Sequence, residues 1–83
     1  MLRAEFYTEI DDWLAYNFNL LGAPSPDKSF KHMFLLFLES EIGNRAVTDA
    51  DQMMPWKIIK DRSELDNMLP DLFTKYLNKR SAL

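Results

Sequence analysis

The sequence has no cysteine, and its 83 residues include only two glycines, four prolines and one histidine. Without thiols there is neither a disulfide framework nor a thiolate metal site. With His32 as the lone imidazole, a single-chain zinc site of nitrogen and sulfur ligands is not expected. Gly22 and Gly43 stand apart, so no glycine-rich loop is available to cradle a phosphate. The longest apolar run, Met33 to Leu38, has six residues, against the roughly 18 of a membrane span. The opening Met1-Leu2-Arg3-Ala4-Glu5 soon turns acidic and is not expected to be a signal peptide. The expectation is a cytoplasmic protein with no cofactor, no metal and no membrane association.

What the chain does have is bulk. Six Phe, three Tyr, two Trp and five Met sit in a sequence that is 47% hydrophobic and 28% charged. Such a composition can bury a core and is not that of a disordered chain. A domain this short removes only about 60–65% of its unfolded surface from water, so its core must be dense in large side chains. Each aromatic covers about 150–250 Å². One domain over residues 1–83 is expected, with 79–83 as a frayed tail.

The apolar residues follow helical periods. Phe6, Ile10, Trp13, Leu14 and Leu21 share one face at about 100° per residue, which predicts a helix over 3–21 that stops at Gly22. Ser25 is placed to cap a second helix over 26–42, with Pro26 at its first position. Phe30, Met33, Phe34, Phe37, Leu38 and Ile42 form its broad apolar face, and Leu36 points away from it. Thr48-Asp49-Ala50-Asp51 has the form of a capping box, so a short helix over 49–54 closed by Pro55 is expected. One or two short helices then lie within 48–60, where Lys57 to Lys60 fits either a helical turn or an extended piece. Ser63-Glu64-Leu65-Asp66 repeats the capping pattern ahead of a third long helix over 64–79. Leu65, Met68, Leu69, Leu72, Phe73, Tyr76 and Leu77 keep phase along it, although Pro70 must kink or break it. The fold class is therefore all-α: a small bundle of three main helices, about 3–21, 26–42 and 64–79, plus the short ones.

Few residues suggest chemistry. Asp49-x-Asp51 resembles the start of a calcium loop, but Met53 and Met54 stand where a ligand and the sharp-turn glycine belong. His32 is the one base suited to neutral pH, with Glu39 two turns on, yet no nucleophile elbow accompanies it. The chain is not expected to be an enzyme.

Charge is more telling. The net charge is −3, a poor basis for nonspecific binding to a phosphate backbone. Glu5, Glu9, Asp12 and Tyr16 fall on one side of the first helix at steps of four, three and four. Such a stripe suits a basic protein partner, where complementary charge raises on-rate and selectivity. Met54 and Trp56 are residue types that anchor partners. The expected function is a non-catalytic protein-binding module (a regulator, inhibitor or adaptor) docking through this acidic face and the Met/Trp loop. An alternative is a nucleic-acid-binding accessory domain using Lys57, Lys60, Arg62, Lys75, Lys79 and Arg80. A further alternative is a self-associating subunit with Leu36 in the contact.

Asp51-x-x-x-Pro55 followed by Asp61-x-x-Glu64-Leu65-x-x-Met68-Leu69, with Phe6-Tyr7 ahead of Trp13-Leu14, resembles small bacterial YozE-type proteins with a sterile-alpha-motif-like fold. The likeness lies in scattered positions and departs from that pattern over Gly43 to Ala50 and at Pro70. It implies a small helical module and carries no residue role.

Overall fold

The computed structural model of the protein describes residues 1–46 and 54–81. Among them are four helices and no strand: α1 (Arg3–Leu20), α2 (Lys28–Gly43), the single turn α3 (Pro55–Ile58) and α4 (Arg62–Ser81). The all-α architecture follows from the apolar periods, and the core is built from the predicted faces. Phe6, Ile10 and Leu14 of α1 meet Phe34, Phe37, Leu38 and Ile42 of α2, and Leu65, Leu69, Leu72 and Tyr76 of α4.

Helix directions follow from which residues touch. Tyr7 reaches Glu39, Asp11 pairs with Lys31, and Phe18 stacks on Phe30, so α1 and α2 are antiparallel. Glu9 meets Arg62 and Phe18 meets Phe73, so α1 and α4 run the same way. Rings fill the upper part of the bundle. Phe73 of α4 packs edge-on against Trp13, Phe18 and Phe34, with centroids 5.5, 6.2 and 5.4 Å away. Each such pair adds about 0.5–1.5 kcal/mol beyond the area that it buries.

Helix ends show where local chemistry decides. After α1, Gly22 takes φ 70°, its N–H donates to the Asn19 carbonyl, and the Ala23 N–H donates to that of Phe18. These are the two bonds of a Schellman stop, as Gly22 predicts. The cap of α2 is Asp27, not Ser25: its Oδ1 accepts from the Phe30 N–H at 2.8 Å, and the helix begins at Lys28. Both residue types can cap, and the one three places before Phe30 does so. At α4 the cap shifts likewise from Ser63 to Asp61, whose Oδ1 accepts from the Glu64 N–H at 3.0 Å, and Glu64 reaches back to the Lys60 N–H at 3.1 Å.

Two prolines stand within the described helices. Pro55 opens α3, a first-turn position that has no N–H bond to lose, and the helix that it is expected to close lies largely outside the described residues. The chain turns extended again at Ile59. Pro70 sits inside an unbroken α4. The donor it lacks leaves the Asp66 carbonyl without its helical bond from residue 70, and the Thr74 hydroxyl donates to the Pro70 carbonyl at 3.1 Å. Helix α4 runs on to Ser81, beyond the expected end at 79. The expected helix over 49–54 falls largely on residues 47–53, outside those described, as do Asp49, Asp51 and Met53.

Three side chains expected in the core are at the surface. Leu21, Met33 and Leu77 are exposed. Leu21 and Leu77 have the right phase, but none of the described elements covers them. Met33 lies at the edge of the broad α2 face, half exposed beside the open groove toward α4.

Candidate interaction surface

The α1 acidic stripe forms as its spacing predicts, but its members are not equivalent. Glu5, Asp12 and Tyr16 are exposed, whereas Glu9 is buried. Arg62, at the start of α4, reaches across: its Nε donates to Glu9 Oε2 at 2.8 Å and its Nη2 pairs with the same oxygen. Hydrogen bonding to Glu9, then the charge of Glu9, holds the Arg62 guanidinium above its already high ordinary pKa. Asp66, one turn along α4, lines the same hollow of about 410 Å³ together with Asp12, Trp13, Tyr16 and Asn17. Burial first, then a hydrogen bond to Glu9 and its charge, raise the Asp66 carboxyl above the usual aspartate value, with Arg62 opposing. Glu9 is therefore a tie between helices, and Glu5, Asp12 and Tyr16 are what the stripe presents to solvent.

Met54 and Trp56 are half-buried. The Trp56 ring lies 6.1 Å from that of Tyr7, and the Arg3 guanidinium sits 5.5 Å from both ring centroids. Tyr7 in turn donates to Glu39 Oε1 at 2.9 Å. Burial, then the bond to Glu39 and its charge, raise the Tyr7 hydroxyl pKa above its ordinary value. The Met1 amine donates to the Trp56 and Ile59 carbonyls at 3.0 and 2.9 Å. Trp56 thus closes α3 against α1.

The fold does not gather the six basic residues on one surface. Lys60 and Arg62 line one hollow, beside Met1, Leu2 and Glu5. Lys79 and Arg80 line another at the far end of α4, about 27 Å of helix away at 1.5 Å per residue. Lys75 pairs with Glu41 at 2.8 Å, and Lys57 is exposed on α3. Arg80 lies over Phe30 and Tyr76, 5.1 and 5.8 Å from their centroids, and Lys79 lies 5.7 Å from that of Phe37.

Most conspicuous is exposed apolar surface that the residue pattern does not announce. Leu20 (65% exposed), Leu21 (81%) and Leu77 (40%) surround a hollow of about 500 Å³ over Trp13, Phe18 and Phe73. A second groove, of about 620 Å³, runs between α2 and α4. Its floor is Phe30 and Phe37, and Met33 (52%) and Leu36 (47%) stand along one wall. Leu36 meets no other helix closely enough to be covered. The only signal for these patches was the apolar breadth of α2 and the doublet Leu20-Leu21.

His32 is exposed. Among the described residues no group of three or more His, Cys, Asp or Glu could hold a metal ion, and no buried side-chain nitrogen or oxygen lacks a hydrogen-bond partner. No helix among them is long and apolar enough to cross a membrane. The chain matches no family model, no curated protein and no solved structure. The YozE-type resemblance thus gains no support from these comparisons.

Proposed function

We propose that the chain is a small non-catalytic protein-binding module of the cytoplasm. One observation carries this reading: large apolar side chains stand exposed in two connected places, Leu20, Leu21 and Leu77 around one hollow and Met33 and Leu36 along one groove. Phe30 lines both. Apolar side chains gathered around hollows, rather than scattered singly, are characteristic of binding sites. Glu5 and Asp12 lend the α1 side charge for selecting a partner, with Tyr16 as an exposed aromatic beside them. Trp56 supports the module from within, as packing.

The test is selection of a random-peptide phage library on the purified, immobilised chain. The expected result is enrichment of peptide families carrying apolar anchors, with binding mapped by amide chemical shifts to one of the two apolar places. Absence of any enriched family over a blank surface overturns the proposal, as does mapping of every family to a site away from both.

A further inference from the structure

The groove between α2 and α4 has features that define its occupant. Ser29, Met33, Leu36 and Ser40 line its α2 wall at steps of four, three and four, the spacing with which one helix presents a seam to another. Two bulky side chains flanked by two small ones make knobs and gaps along about 17 Å, or three helical turns. At the α4 end the rim is cationic. Lys79 and Arg80 lie over aromatic faces and outside the ion pairs found among the described residues, whereas Lys75 and Glu41 neutralise each other and Asp27 is engaged as the α2 cap. The groove is thus apolar along its length and, outside the Lys75–Glu41 pair, sets the two cations Lys79 and Arg80 against the one carboxylate of Asp27, which leaves it net positive.

Resting on the binding-module reading above, we propose that this groove receives an acidic amphipathic helix of another protein. Apolar residues of that helix, spaced i, i+3 or i+4, and i+7, lodge between Met33 and Leu36 and over Phe30 and Phe37. Its carboxylates meet Lys79 and Arg80, with Arg80 able to bind one bidentately. A second copy of this chain is a poorer fit. Its own acidic helix face has Glu9 buried against Arg62 and offers Tyr16 as the one exposed aromatic of the stripe.

The test is a phage library built on a helical scaffold randomised along one face, selected on the full chain. Enriched clones are expected to combine Leu, Met or Phe at helical spacing with Asp or Glu at one end. The synthetic peptide of the strongest clone, followed by fluorescence anisotropy, should lose more than tenfold in affinity to the Lys79→Glu/Arg80→Glu variant and to Leu36→Asp. A peptide with its acids changed to lysine should recover binding to the charge-reversed variant. Circular dichroism of each variant separates lost binding from lost fold, and Lys79→Ala serves if the double variant unfolds. Affinity should fall as salt rises from about 50 to 500 mM. Clones without acids, or affinities kept within threefold by the variants, overturn the inference. So does sedimentation showing that the chain pairs with itself through this groove and that Leu36→Asp makes it monomeric. If peptides are enriched but bind around Leu20, Leu21 and Leu77, the binding-module reading stands and this inference falls. If none is enriched in either selection, both fall.

Discussion

Asp66 and Gly22 are the residues whose local physics makes the sharpest demands. The folded state holds the Asp66 proton more tightly than the unfolded chain does, because burial and the Glu9 carboxylate disfavour its charge. A raised acid favours the folded state when protonated, so its unfavourable contribution grows as pH rises through its folded-state titration and is relieved on acidification. Asp66→Asn should therefore raise the urea midpoint near pH 7 and remove that rise on acidification, read from urea melts between about pH 4 and pH 7. At Gly22 the constraint is backbone alone, since an added Cβ would meet nothing within 4 Å but φ is +70°. Gly22→Ala should cost about 1–2 kcal/mol, and Gly22→Asn less. Of these two residues, only Gly22 was legible from sequence. A glycine after an apolar run is a local signal, whereas the environment of Asp66 is made by Glu9, on another helix. For the same reason Glu9 reads as one of four residues in a stripe. Its position at the edge of the buried arc is visible in the pattern, but the guanidinium that covers it lies 53 residues away.

Among the elements, α4 most clearly shows periodicity outweighing a local rule. Pro70 predicts a kink or a break, and there is no break: the apolar phase from Leu65 to Tyr76 keeps one helix running through it. Packing of Leu65, Leu69 and Leu72 outweighs one missing hydrogen bond. The residue is exposed, so replacing it restores a donor without disturbing the core. Pro70→Ala should stabilise the protein by about 1–3 kcal/mol, read from thermal or urea melts. Helix α2 shows the opposite limit. Its periodicity pointed to Phe34, Phe37, Leu38 and Ile42 and could not tell that Met33 stands outside them. Phase gives the direction of a buried face, whereas its width is set by how closely neighbouring helices approach. The caps shifted because Ser25 and Asp27, or Asp61 and Ser63, compete for the same orphan N–H groups, and sequence ranks such pairs weakly.

At the scale of the whole molecule, 83 residues correspond to a stability of about 4–12 kcal/mol. One deep truncation then consumes much of it. Leu38 is fully buried, and Leu38→Ala should cost about 2–5 kcal/mol, read as a lowered midpoint in thermal or urea melts. Substitutions at Leu20, Leu21 or Leu36, by contrast, should change stability little, by about 0.5 kcal/mol or less. The three long helices and their shared core were readable because they rest on regular spacing. The apolar places that define the candidate surface were not, because exposure depends on where the bundle ends, and no stretch of sequence contains that.

The two indoles lie in separate surroundings. Trp13 stands edge-on to Phe73 beside the Leu20–Leu21 hollow, and Trp56 faces Tyr7 and Arg3 beneath α3. With no third tryptophan in the chain, two Trp-to-Phe replacements turn the protein into a matched pair of optical reporters. The emission of one would follow events at the leucine-lined tip, and that of the other the seating of the short helix.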